Sequence, residues 1–153
     1  MGYCVEISLG NVRIPKDKVN DCLAAINAMH SDDNLQNNAG GGMSGRDSEA
    51  VPVNQRCWYA WVRNPGENGF NSLTEAFLAW RYHACTDDNG DVVVEFFEGS
   101  KWGDDEQLYT TIAPYVNNGG MITCHGEDGS NWRYIFENNQ VREQQAELSW
   151  EDV

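Results

Sequence analysis

Three alternating stretches follow one another with almost no chain between them, and they limit the fold more than any other feature. Met121 to His125 is the first. In the second, Trp132, Tyr134 and Phe136 alternate with Arg133, Ile135 and Glu137. In the third, Val141 to Trp150, the expected inward set is Ala146, Leu148 and Trp150, with Gln145, Glu147 and Ser149 outward. Period-two alternation is the mark of a half-buried strand. The connections are Glu127-Asp128-Gly129-Ser130 and Asn138-Asn139. Parallel neighbours need a crossover of about a dozen residues or more, so such short links force antiparallel pairing.

The preceding chain alternates between two periodicities. Tyr3, Val5, Ile7 and Leu9 have strand spacing. Val19, Cys22, Leu23, Ile26 and Met29 have helical spacing, and Pro15 suits a first turn, which predicts a helix over 15–29. Cys57 to Val62 is apolar on both faces and reads as an interior strand. Ser72-Leu73-Thr74-Glu75 matches a capping box, and Leu73, Ala76, Phe77, Trp80 and Ala84 continue as a helical stripe to about residue 84. Asp87-Asp88-Asn89-Gly90 is a turn, and Asp91 to Glu98 a strand with Val92, Val94 and Phe96 on one face. Asp104 is the expected cap of a third helix that Pro114 distorts near its end. The expected order is β-α-β-α-β-α-β-β-β. That is one α+β domain over 1–153, mostly antiparallel, with helices packed on one face of the sheet. Residues 30–52 have no periodicity and contain Ala39-Gly40-Gly41-Gly42, so a flexible glycine-rich loop is expected there.

Charge narrows the function. The chain carries 24 acids and 10 bases, a formal net charge of -14. Phosphate-held nucleic-acid binding needs a basic patch, so direct binding of nucleic acid is excluded as an expectation. No apolar run approaches the roughly 18 residues of a membrane span. The five cysteines, Cys4, Cys22, Cys57, Cys85 and Cys124, are widely spaced without a CxxC. With no secretory segment they point to a reduced, cytoplasmic chain with mostly buried thiols.

No motif carries an enzyme reading. Gly40 to Asp47 has the glycine spacing of a phosphate loop, but Arg46 and Asp47 stand where Lys and Ser or Thr are needed. Asp87 to Asp91 has calcium-loop composition without the glycine and glutamate positions of an EF-hand. His83 and Cys85 with Cys124 and His125 have the right atoms for zinc, but adjacent strand residues point to opposite faces. No catalytic residue, metal site or cofactor is therefore assigned.

The acidity is uneven. Fifteen of the acids but only four of the bases lie in residues 77–153, a net of -11. An acidic face can engage a basic partner or imitate nucleic-acid phosphates. Its candidate carriers are Asp104, Asp105, Glu106, Glu127, Asp128, Glu143 and Glu147, with Trp102 as an exposed loop anchor.

The opening Met1-Gly2-Tyr3, the segment Ile112-Ala113-Pro114-Tyr115-Val116, the block Gly126 to Tyr134 (GEDGSNWRY) and Trp150 together resemble a group of small uncharacterised proteins of bacteria and their phages. The resemblance spans roughly residues 70–150 plus the first tripeptide, and carries over no catalytic residue. It implies a phage or prophage setting in a bacterial cytoplasm. The expected function is a non-enzymatic acidic protein-binding module, an inhibitor of a host defence or nucleic-acid-acting complex. The alternatives are a nucleotide-like small-molecule binder with the glycine-rich loop as lid, or a phage accessory protein.

Overall fold

The computed structural model describes residues 2–31 and 59–153. They form an α+β arrangement of three helices and seven strands, with every strand pair antiparallel. The sheet is divided in two. Strand β1 (Val5–Gly10) pairs with β5 (Met121–Gly126), which continues to β6 (Asn131–Glu137) and β7 (Gln140–Gln145). The predicted meander is thus three of the four strands of the larger sheet. The smaller sheet has the order β2-β4-β3, built from Val12–Ile14, Val92–Phe97 and Tyr82–Thr86. Asn11, at φ 53°, turns the chain out of β1 and into β2, so residues 5–14 join the two sheets.

Helix α1 (Val19–Met29) buries Cys22, Ile26 and Met29, the stripe its spacing predicts. It packs against α2 (Leu73–Ala79) and α3 (Asp105–Ile112). The inner face of the larger sheet places Ile122, Cys124, Tyr134 and Phe136 in the same contiguous core as Trp80, Tyr82 and Leu108. The outer face shows Glu6, His125, Arg133 and Arg142 to solvent.

The succession of elements follows the predicted one and is refined at four places. The capping box forms in a shifted version: Glu75 N–H donates to Ser72 Oγ at 3.2 Å, and Glu75 Oε2 accepts from Asn71 N–H at 2.9 Å, one residue before the cap. The helix it starts ends at Ala79 rather than at 84, because Arg81 takes φ +77° and sends the chain into β3. A residue in the left-handed region ends a helix as glycine usually does.

Residues 59–61 form a turn rather than the second half of a strand; Trp61 sits at φ +67°, and Cys57 and Trp58 lie outside the described residues. In β4 the register skips Glu95 between the pairs His83–Phe96 and Ala84–Val94. This bulge carries Phe97 onto the Val92–Val94 face and leaves Phe96 exposed, stacked on His83 at 4.3 Å. Finally, β7 ends at Gln145, and Leu148 and Trp150 are exposed rather than inward. The glycine-rich loop expected at 30–52 lies, from residue 32 onward, outside the described residues.

His30, at the end of α1, is enclosed by the rings of Tyr59, Phe70 and Trp80, with centroids 5.1, 5.2 and 5.9 Å away. Trp80 Nε1–H donates to its Nε2 at 3.2 Å. Burial lowers its pKa from 6.5 to about 4, so the ring is neutral at pH 7. Asn27 holds Phe70 at both backbone atoms, with Phe70 N to Oδ1 2.7 Å and Nδ2 to Phe70 O 3.2 Å. Gly69, at φ +79°, is required beside it, since a Cβ there would lie 2.7 Å from Asn27 Oδ1.

Candidate functional site: an aromatic groove with an acidic rim

The segment from Gly99 to Asp104 hangs between β4 and α3, and one buried carboxylate holds it in place. Asp105 has no exposed surface. Its oxygens accept from Arg81 Nη2 (3.0 and 2.9 Å), Tyr82 OH (2.9 Å) and Gly103 N–H (3.0 Å). Arg81 Nη1 donates to Lys101 O at 2.6 Å. Burial pushes the Asp105 carboxyl above its ordinary range, and the Arg81 guanidinium pulls it back. Asp105 is therefore removed from the predicted acidic face: a side chain with no solvent access cannot touch a partner.

Asp104 is also engaged differently. It makes no side-chain bond to the helix backbone; its Oδ2 accepts from Ala60 N–H at 2.7 Å and ties the 59–61 turn to α3.

This anchoring delivers Trp102 to the inner face of the larger sheet, beside Trp132 and Tyr134. Trp102 N–H donates to Tyr3 O at 2.7 Å, and Val5 N–H to Ser100 O at 2.9 Å, so residues 3–5 and 100–102 run side by side. The Trp102 ring meets Trp132 edge to face at 5.6 Å and lies parallel to Tyr134 at 6.3 Å. Tyr3 leans on Trp132 at 6.4 Å. The predicted exposed anchor is thus half-buried, one member of an aromatic row that reaches Tyr109 in the core. Tyr3, Trp102, Asn131, Trp132, Glu143 and Gln145 line a groove of about 360 Å³.

One carboxylate lines this groove and others act on its walls. Glu143 lines it from β7, on the same sheet face as Trp132 and Tyr134. Burial raises the Tyr134 pKa, and the negative fields of Glu106 and then Glu143 add to the rise. Asp128 accepts from Tyr3 OH and from Ser130 N–H (3.0 Å); these bonds hold its carboxyl below the ordinary range and raise the Tyr3 phenol. Glu127 Oε1 accepts from Cys4 N–H at 2.8 Å.

The structure therefore brings Trp102 and Glu143 into one groove, with Asp128 bonded to its Tyr3 wall, Glu106 acting on Tyr134 beside it and Glu127 bonded to the neighbouring Cys4 N–H. Glu147 does not join them. It lines a second, larger groove of about 740 Å³ on the opposite face, with Thr123, His125, Asn131, Arg133 and Gln144.

Sequence reasoning named neither Tyr3 nor Trp132 among the site residues. A signal for both existed in the short GEDG turn, which brings residues 126–132 back toward the first strand.

The zinc set does not assemble. His83 bonds Glu98 at 2.5 Å and Cys85 bonds Glu95 at 3.2 Å in the smaller sheet. Cys124 is buried in the larger sheet, and His125 faces the other way, toward Asn131. Among the described residues no three His, Cys, Asp or Glu side chains converge to hold a metal. Among them, too, no helix is long and apolar enough to cross a membrane.

Comparison of the chain with family models, with curated proteins and with solved structures finds no match. The groove's own chemistry is what remains to argue from. Aromatic faces carry negative quadrupoles, and a guanidinium or ammonium held against them is attracted by about 0.5–2 kcal/mol, more as water is excluded. Carboxylates at the rim add to that attraction and steer cations toward it.

Proposed function

We propose that this chain is a non-enzymatic protein-binding module whose aromatic groove takes a Lys or Arg side chain from a basic partner. The observation that carries the reading is the position of Glu143. Among the described residues it has no basic partner, it borders Trp102, Trp132 and Tyr3, and its field already acts on Tyr134. A cation arriving there would complete the site. The resemblance adds a setting: a phage-encoded antagonist in a bacterial cytoplasm, covering the basic groove of a host nucleic-acid-acting complex. Specificity would come from the groove and encounter rate from the wider charge.

Short arginine and lysine hexapeptides, titrated against tryptophan fluorescence at low and high salt, test this. Binding is expected to weaken with salt. Trp102→Ala and Glu143→Gln should each weaken it roughly 5–30-fold, the equivalent of about 1–2 kcal/mol. Asp88→Asn, which removes an equal charge from the Asp87–Gly90 turn, should change it less than twofold. Equal losses in all three variants would reduce the effect to net charge and remove the groove from the mechanism.

The second groove favours an alternative reading. His125 and Arg133 line it beside Glu147, and the Arg133 guanidinium offers a charge suited to an anionic small molecule. A nucleotide that raised the melting temperature of wild type but not of Arg133→Ala would shift the assignment there.

A further inference from the structure

The two strands that hold the groove's walls are fastened by a pair of reactive side chains. Cys4 and Lys101 face each other across an isolated antiparallel bridge. Lys101 Nζ lies 3.0 Å from Cys4 Sγ and 3.2 Å from Gly2 O. The backbone on both sides is fixed, by the bonds of Val5 to Ser100 and Trp102 to Tyr3 described above, and by Glu127 N–H donating to Cys4 O at 3.0 Å. Neither side chain has to search for the other, and Cys4 is half-exposed, so a small oxidant can reach it.

We propose that Cys4 and Lys101 are a modification site, at which hydrogen peroxide drives a covalent sulfur–nitrogen cross-link. In the first step the Cys4 sulfur attacks a peroxide oxygen and the O–O bond breaks. The sulfur is oxidised by two electrons to sulfenic acid, and the peroxide is reduced to water. In the second step Lys101 Nζ, having given a proton to water, attacks the sulfur. The S–O bond breaks, a second water leaves, and an S–N bond remains. One thiol, one amine and one peroxide thus give one sulfenamide and two waters. Two equivalents of an added thiol reverse the link, restoring both side chains and forming a disulfide of the reductant.

The surroundings select this cysteine among the four described. Cys22 and Cys124 are buried, and burial pushes each thiol up to about 12. Cys85 is exposed, but its bond to the Glu95 carboxylate raises it. The thiolate is the form that attacks peroxide, so these three respond slowly. Lys101 is held protonated chiefly by its hydrogen bond to Cys4. Oxidation converts that acceptor sulfur to the sulfenic acid and releases the amine for the second step. Tyr3 and Trp102 are the chain neighbours of the linked residues, so the link would lock the groove walls together. That consequence rests on the groove being the binding site; the chemistry does not.

The test uses the whole chain, treated undenatured with a few equivalents of peroxide, then digested and read by mass spectrometry. The expected product joins the peptides of Cys4 and Lys101, two hydrogens lighter than their sum, and disappears on treatment with dithiothreitol. It should be absent from Cys4→Ser. In Lys101→Arg, Cys4 should instead be captured by the sulfenic-acid reagent dimedone. Dimedone capture of Cys4 in the wild type without the joined peptides, or first oxidation at another cysteine, would overturn the proposal. No groove ligand enters this readout, so its failure is distinguishable from failure of the binding reading.

Discussion

Arg81 and Asp105 show how one residue pair can position a whole surface. Arg81 occupies a left-handed conformation, which costs a non-glycine residue about 1–2 kcal/mol. Its guanidinium meets a carboxylate with no solvent access and also holds the Lys101 carbonyl. Arg81→Gly would relieve the backbone and strand the charge. Removing one partner of a buried pair costs about 3–5 kcal/mol, so the net effect should be destabilising by a few kcal/mol in urea unfolding. Asp105→Asn should also be destabilising, because it leaves the Arg81 guanidinium, 13% exposed, without its counter-ion.

His30 makes a pH prediction at the same scale. Its pKa is lowered to about 4 in the folded chain, so between about pH 6.5 and 4 the unfolded state binds a proton that the folded state does not. Stability from this group is complete above pH 6.5 and falls as the pH drops through that window, by about 3 kcal/mol in all. His30→Phe should lose that share of the pH dependence. Comparing wild-type and variant unfolding free energies at pH 7.5 and 4.5 measures it, since the carboxylates titrate alike in both.

At the scale of elements, local signals and their outcomes separate clearly. The capping box at Ser72–Glu75 was legible because its bonds are made within four residues, and it formed. Ser72→Ala should cost about 1 kcal/mol, and Ser72→Gly only a few tenths, by thermal or urea unfolding. The C-terminal boundary of the same helix was not legible. Ala84 continues a helical spacing, but what ends α2 is the position of Arg81, fixed by an aspartate 24 residues later. The bulge at Glu95 is a similar case. A strictly alternating strand would bury Phe96, whereas packing of Phe97 on Tyr82 (4.9 Å) and under the Arg81 guanidinium (4.9 Å) draws Phe97 inward.

Across the whole molecule, the end of the last strand and part of the acidic set lie elsewhere than alternation and charge count suggest. Leu148 and Trp150 look like strand interior but have 81% and 89% of their surface exposed. Leu148→Ser and Trp150→Ser should each change stability by less than about 0.5 kcal/mol. Phe136→Ala should cost about 3–5 kcal/mol, because Phe136 is fully enclosed. The contrast in urea midpoints checks where the core lies. Of the acids predicted to share a face, Asp105 is interior, Asp104 holds a turn and Glu147 faces the opposite side. Of the remainder, Glu143 shares the groove of Trp102 and Asp128 bonds the Tyr3 wall.

The sequence by itself determined the antiparallel meander, the first and third helices, the capped start of the second and the overall acidity. Short links, 3.6-residue spacing and cap chemistry are local, and they act before distant parts of the chain meet. Only the tertiary structure decided that the sheet splits in two, that the left-handed Arg81 and the Glu95 bulge redirect the chain, and that Tyr3, Trp102 and Trp132 share a groove. Those outcomes depend on contacts between residues far apart in sequence, such as Tyr3 with Asp128 and Cys4 with Lys101. Their energies come from burial and pairing that no local periodicity encodes.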